Sequence, residues 1–128
     1  MRAKASLFVL LYCISSAVAA EVSISQLYKS YEKSGRSSDQ MPEYNKKIAI
    51  SGVVLKQTEN FSGDVIISVG APDSTVELAR AIFGKDTPAE EIDKLTGGVA
   101  FKASCTVAFV MNSKYLSLQD CALNNRGK

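Results

Sequence analysis

The sequence predicts a mainly β domain: a small five-stranded Greek-key barrel with two short helices. Three observations carry that reading. Apolar residues alternate with polar ones over several turn-bounded runs, most extensively from Val99 to Met111. One helical periodicity precedes every strand, and one helix-start signal falls between the third strand and the fourth. Setting residues 1–20 aside leaves about 108 residues, enough for one modest core.

Residues 1–20 read as a cleavable export signal. Arg2 and Lys4 form a basic start, Leu7 to Ile14 an apolar run, and Ala17-Val18-Ala19-Ala20 a small-residue cleavage region. The run is too short to hold the chain in a bilayer, so no stable membrane anchor is expected. The mature protein, cut near Ala19-Ala20, is expected in the periplasm or the medium. Cys13 follows Tyr12 rather than a small residue, so the chain is not expected to be a lipoprotein.

Residues 21–44 form an N-terminal helix and connector, 45–124 the barrel, and 125–128 a tail. In the helix, Ser23 to Lys33, the residues Ile24, Leu27, Tyr28 and Tyr31 share one stripe. Ser23 or Ser25 caps it and Gly35 ends it. Residues 34–44 read as a polar connector.

The first strand starts near Lys46. Its apolar positions switch from even (Ile48, Ile50) to odd (Val53, Leu55) at Gly52, which predicts a bend there. Asp64 to Val69 is the second strand. Thr75 to Phe83 carries both helical and strand patterns and is read as the third strand. Thr87-Pro88-Ala89-Glu90 starts a helix, with threonine as cap and proline first, and Gly97-Gly98 stops it. The fourth strand places Val99, Phe101, Ala103, Cys105, Val107, Phe109 and Met111 on one face. A three-residue turn, Asn112-Ser113-Lys114, pairs Met111 with Tyr115 and hence Cys105 with Cys121. Parity on the return strand is inconsistent, so one residue near Gln119-Asp120 is expected to bulge.

Cys105 and Cys121 are an even pair for an oxidising compartment and are expected to form one structural disulfide. The chain has no histidine, and two thiols make a poor zinc cage, so neither metal nor cofactor is expected. The missing histidine also removes Ser–His and Cys–His nucleophiles. Glu90 and Glu91 read as complements to a helix dipole, and Asp120 as a turn residue. No enzyme activity is expected.

The order of elements, with a helix between the third and fourth of five strands, suggests an OB-fold. Residues 45–123 resemble the tRNA-anti-like family of exported bacterial OB-fold proteins. The carrying segments are Lys47-Ile48-Ala49-Ile50-Ser51-Gly52-Val53, Phe101-Lys102-Ala103-Ser104-Cys105 and Leu116-Ser117-Leu118-Gln119-Asp120-Cys121. The resemblance implies a fold and an envelope location, not an activity.

Two of the 15 basic residues fall in the signal, leaving 13 against 13 acidic ones. A neutral chain has no general attraction for polyanions. Single-strand binding needs aromatic platforms and a basic groove. The presumed binding strands carry one aromatic, Phe83, with Lys56 and Arg80 the only basic residues in or beside them. No nucleic acid is therefore expected as a partner. The expected role is a non-catalytic module that contacts another envelope or secreted protein, in an accessory, inhibitor or immunity-type capacity. The candidate contacts lie beside the loops after barrel strands one and four: Lys56 and Phe61, then Asn112, Lys114 and Tyr115. The commoner fate of a phenylalanine like Phe61 is to fold over the barrel end. Small-molecule binding in the barrel mouth is the alternative reading, with single-stranded nucleic-acid binding a lesser one.

Overall fold

A computed structural model describes residues 21–84 and 86–124. The signal expected at 1–20 and the tail at 125–128 lie outside them. The elements are β1 (Glu21–Ser23), α1 (Ile24–Lys33), a 3-10 turn (Ser38–Gln40), β2 (Lys47–Glu59), β3 (Val65–Gly70), β4 (Ala79–Phe83), α2 (Ala89–Ile92), β5 (Ala100–Val107) and β6 (Leu116–Leu123).

The barrel closes through β2. Its first half, Lys47 to Val53, pairs antiparallel with β5, and its second half, Val53 to Glu59, pairs antiparallel with β3. Neighbours then run β3–β4, β4–β6 and β6–β5, with β4 and β6 parallel. This is the five-stranded barrel the sequence predicts. β1 adds a short parallel strand to β2 at Ala49–Ser51.

Inside, Ile50, Val54, Ile67, Val69, Ala81, Phe83, Ala103, Val107, Leu116 and Leu118 are all fully buried. The even-numbered residues of β2 keep facing inward through Gly52 to Val54, so the predicted change of face at Gly52 does not occur. The irregularity sits at Leu55, where the register with β3 shifts between Val54 and Lys56. Gly52 serves close approach instead: a Cβ there would lie 2.5 Å from Cγ1 of Val69.

Ser23 caps α1 in a reciprocal box with Gln26, each backbone N–H donating 3.1 Å to the other's side-chain oxygen. Ile24, Leu27 and Tyr31 are buried against the barrel. Gly35, at φ +73°, turns the chain out of the helix. The connector is more than a polar link. Ser38 is fully buried; its hydroxyl donates to the Ala108 carbonyl (2.8 Å) and accepts from the Val110 N–H (2.7 Å).

Three boundaries differ from expectation. The third strand starts only at Ala79: Leu78 still bonds β3 and β6 through its backbone, but residues 75–77 lie outside the ladder and Glu77 turns to bond the Ser68 and Arg80 side chains. The cap of α2 is Pro88, without a side-chain bond, rather than Thr87. Ile92 and Leu95 are nevertheless buried, and Gln57 ties their turn to β2 by donating from Nε2 to the carbonyls of Ile92 (3.0 Å) and Leu95 (3.1 Å).

The fourth barrel strand ends at Val107, not Met111. Beyond the barrel rim the backbone leaves β6 and bonds to the connector, so the continuing alternation buries nothing, and Phe109 and Met111 are exposed. The predicted Met111–Tyr115 pair is therefore absent, and Met111 bridges to Ser37. The expected bulge is present. Thr106 faces Gln119 and Ser104 faces Ala122, and Asp120 takes φ +52° between them. That slip brings Cys121 inward to Cys105, and the two form the predicted disulfide, with S–S 2.10 Å.

Candidate binding face

The outer surface of β3 and β4 is organised in two rows by strand register. In one, Lys56 faces Ser68, Ser68 faces Arg80, and Arg80 faces Ser117. In the next, Thr58 faces Ile66 and Ile66 faces Ile82. Alternation puts these side chains outside because Ile67, Val69, Ala79, Ala81 and Phe83 fill the interior. Phe83, the aromatic expected on this face, belongs to the core.

Arg80 is held on two sides. Its guanidinium carbon lies 4.0 Å from the centre of the Tyr115 ring. Its Nε and Nη2 donate to the Glu77 carboxylate at 2.8 and 3.3 Å. The Ser68 hydroxyl donates to the same carboxylate at 2.7 Å, which leaves Ser68 almost wholly buried under it. Burial pushes the Glu77 pKa up, the largest single effect. Hydrogen bonds from Arg80 and Ser68, with the nearby charges of Arg80 and Lys56, outweigh it and hold the carboxyl below its ordinary value. The hydrogen bond to Glu77 raises Arg80 in turn.

A carboxyl whose folded pKa is lowered stabilises the fold above its unfolded pKa, and that contribution is lost as pH falls through the folded value. Glu77→Gln is therefore expected to lower the melting temperature at neutral pH. The gap between wild type and variant should close on acidification below the usual carboxylate range. A gap independent of pH in a melting series would show that Glu77 acts by packing alone.

Phe61 tops the β2–β3 loop, beyond the Val65–Phe83 end of the same strands, and its side chain is fully exposed (111%) rather than folded over the barrel. The loop closes on itself instead. Oδ1 of Asn60 accepts from the N–H groups of Ser62 (2.9 Å) and Asp64 (3.0 Å), and Gly63 turns at φ +85°.

Of the residues the sequence singles out, Lys56 and Tyr115 join Arg80 on or beside one row, and Phe61 stands at the far end of the same strands. Asn112 and Lys114 do not join them. They belong to the β5–β6 loop, which is tied to α1 and the connector: the Asn112 N–H donates to the Arg36 carbonyl (2.8 Å), and the Lys114 carbonyl accepts from the Tyr28 hydroxyl (2.8 Å). Sequence reasoning missed Glu77, Ser68, Ile66 and Ile82. Reading β3 and β4 as alternating strands exposes the two isoleucines. The Glu77 clamp has no sequence signal beyond its i,i+3 spacing to Arg80.

Among solved structures, the chain is similar to a crystal structure from Klebsiella pneumoniae subsp. pneumoniae MGH 78578, named a "putative nucleic acid-binding lipoprotein". The TM-score is 0.62 at 18% identity, over 87% of this chain and 96% of that one. The protein is an OB-fold-like barrel. It is also similar to a "putative aspartyl-tRNA synthetase" from Leishmania major Friedlin, with TM-score 0.50 and 14% identity, over 88% of this chain but only 22% of that one. No family model matches the chain, and no curated protein is similar to it.

The Klebsiella structure overturns two expectations. The exclusion of nucleic acid rests on net charge and on the scarcity of aromatic and basic residues on the presumed binding strands, yet a chain of this fold and extent is named as nucleic acid-binding. Net charge averages the whole surface, whereas a ligand meets a local field. The expectation against a lipoprotein rested on Tyr12 before Cys13, yet that same structure is named a lipoprotein. Cys13 itself lies outside the described residues.

Proposed function

We propose that this is an exported, non-catalytic OB-fold module that contacts another protein through the outer face of β3 and β4 and the β2–β3 loop. The observation that carries the reading is Phe61, fully exposed at the tip of a turn closed by its own hydrogen bonds. Aromatic side chains, phenylalanine among them, are enriched at protein interfaces, and a pre-ordered loop lowers the entropy lost on binding. Ile66 and Ile82 extend the exposed aromatic with half-buried apolar surface. The resemblance of residues 45–123 to exported OB-fold proteins supports the same placement.

A second reading is favoured by one observation: the similar Klebsiella protein is named as nucleic acid-binding. Here a single strand would use the same face, with Lys56 and Arg80 toward its backbone.

Crosslinked pull-down from producing cells tests both. We expect a discrete protein partner with the wild type and at least a tenfold lower yield with Phe61→Ser, without a change in melting temperature. Recovery abolished by nuclease, and unchanged by Phe61→Ser, would select the second reading.

A further inference from the structure

Arg80 is oriented but not used up. Its Nε and Nη2 bind Glu77 and one face of its plane rests on Tyr115, while Nη1 has no hydrogen-bond partner among the described residues. The side chain remains 42% exposed. A guanidinium has five N–H donors, so the Nη1–Nη2 end stays open in a fixed direction. Two strands away in the same row, Lys56 is exposed and forms no ion pair among the described residues. The row therefore carries two cations against one carboxylate, an excess of one positive charge.

The neighbouring row supplies the rest of the site. Ile82 lies two residues along β4 from Arg80, and Ile66 stands beside Ile82. Side chains two apart on a strand lie about 7 Å apart on one face. An extended peptide running alongside β4 repeats the same spacing.

We infer that the Lys56–Arg80 row and the Ile66–Ile82 row form a recognition site for an extended segment of a partner protein, in which an acidic side chain lies two residues from an aliphatic one. The carboxylate takes the open end of Arg80 in a paired hydrogen bond, with Lys56 as second cation. The aliphatic side chain covers Ile66 and Ile82. Glu77 and Tyr115 are positioning residues: they hold the guanidinium so that little freedom is lost on binding. Charge complementarity favours a polypeptide over a nucleic acid strand. One excess charge matches one carboxylate, whereas a strand brings a charge at every nucleotide. The outward positions of β3 and β4 hold no aromatic platform, and Arg80 already covers one face of Tyr115.

This inference rests on the protein-contact reading and gives it a chemistry. The test is a nitrogen-15 NMR titration of the protein with three probes. One is an acetylated, amidated pentapeptide with valine two positions before glutamate; one is its glutamine counterpart; one is an oligothymidine. The glutamate peptide should shift the amides of 66–68 and 80–82 and the Arg80 Nε–H, and bind about tenfold tighter than the glutamine peptide. Arg80→Gln should erase that preference. Lys56→Gln, which leaves the Glu77 clamp intact, should reduce it about threefold. Equal binding of the two peptides at this face would overturn carboxylate recognition while leaving protein contact standing. Shifts with oligothymidine alone, or with no probe, would overturn both.

Discussion

Replacing Cys105 and Cys121 together by alanine is expected to lower stability by about 3 kcal/mol. The bridge spans 16 positions in sequence, and the chain-entropy model assigns a loop of that size about 3 kcal/mol. For a domain near 100 residues this is a fall in melting temperature of roughly 15 °C. The position in the fold makes the effect global. Cys121 sits where β6 meets both neighbours, opposite Phe83 of β4 and beside the bulge against β5. Cys105 is fully buried and Cys121 nearly so. Losing the bridge thus loosens β6 against both of its neighbours. The Arg80 row lies toward the start of β6, and its register with Ser117 should survive in the folded fraction. Urea unfolding of the double variant checks this; a loss under about 1 kcal/mol would show that the ladder alone sets barrel stability.

Leu27→Ala is expected to cost about 2–5 kcal/mol, the range for emptying a leucine site in a packed core. Leu27 is fully buried on α1, between Ile24 and Tyr31 on the same stripe. The helix is bound to the barrel by more than apolar contact. The Tyr31 hydroxyl donates to the Ser113 carbonyl and accepts from the Ser113 N–H, both at 2.9 Å. Leu27→Ala should therefore also raise amide exchange across residues 108–115, beyond the helix itself. A two-step urea transition, with helix signal lost first and sheet signal unchanged, would mean that α1 is an appendage.

How much of this was legible in the sequence differs by element. The barrel strands were readable wherever alternation coincided with turn residues, as in Val65 to Val69. The Cys105–Cys121 bridge is legible as an even pair of thiols in an oxidising compartment, not through the Met111–Tyr115 register, which the fold does not adopt; the parity conflict around Gln119-Asp120 marks a real bulge at Asp120. Alternation failed where it ran past the structure that gives it meaning. Phe109 and Met111 continue the pattern of β5 but lie beyond the barrel rim. Gly52 reads as a bend in sequence; its need is the Val69 side chain packed against it, a long-range contact no local window contains.

The candidate site was half visible. Lys56, Phe61 and Tyr115 were found because loops after barrel strands one and four, and their flanks, carry binding residues in OB-folds. Glu77 escapes notice in the sequence because residues 75–83 read as one strand. In the fold, the residues before Leu78 lie outside the ladder, and Glu77 bonds Ser68 and Arg80. Net charge also misled. Neutrality over residues 21–128 conceals a face where Lys56 and Arg80 outnumber the one carboxylate in their row.

The most direct test of a working surface on the outer face of β3 and β4 is photocrosslinking in producing cells. p-Benzoylphenylalanine is placed either at Phe61 or at Lys29, an exposed position on α1. The account predicts a discrete, nuclease-resistant protein adduct from position 61 and none from position 29. Equal adducts from both positions, or none from position 61, would contradict it.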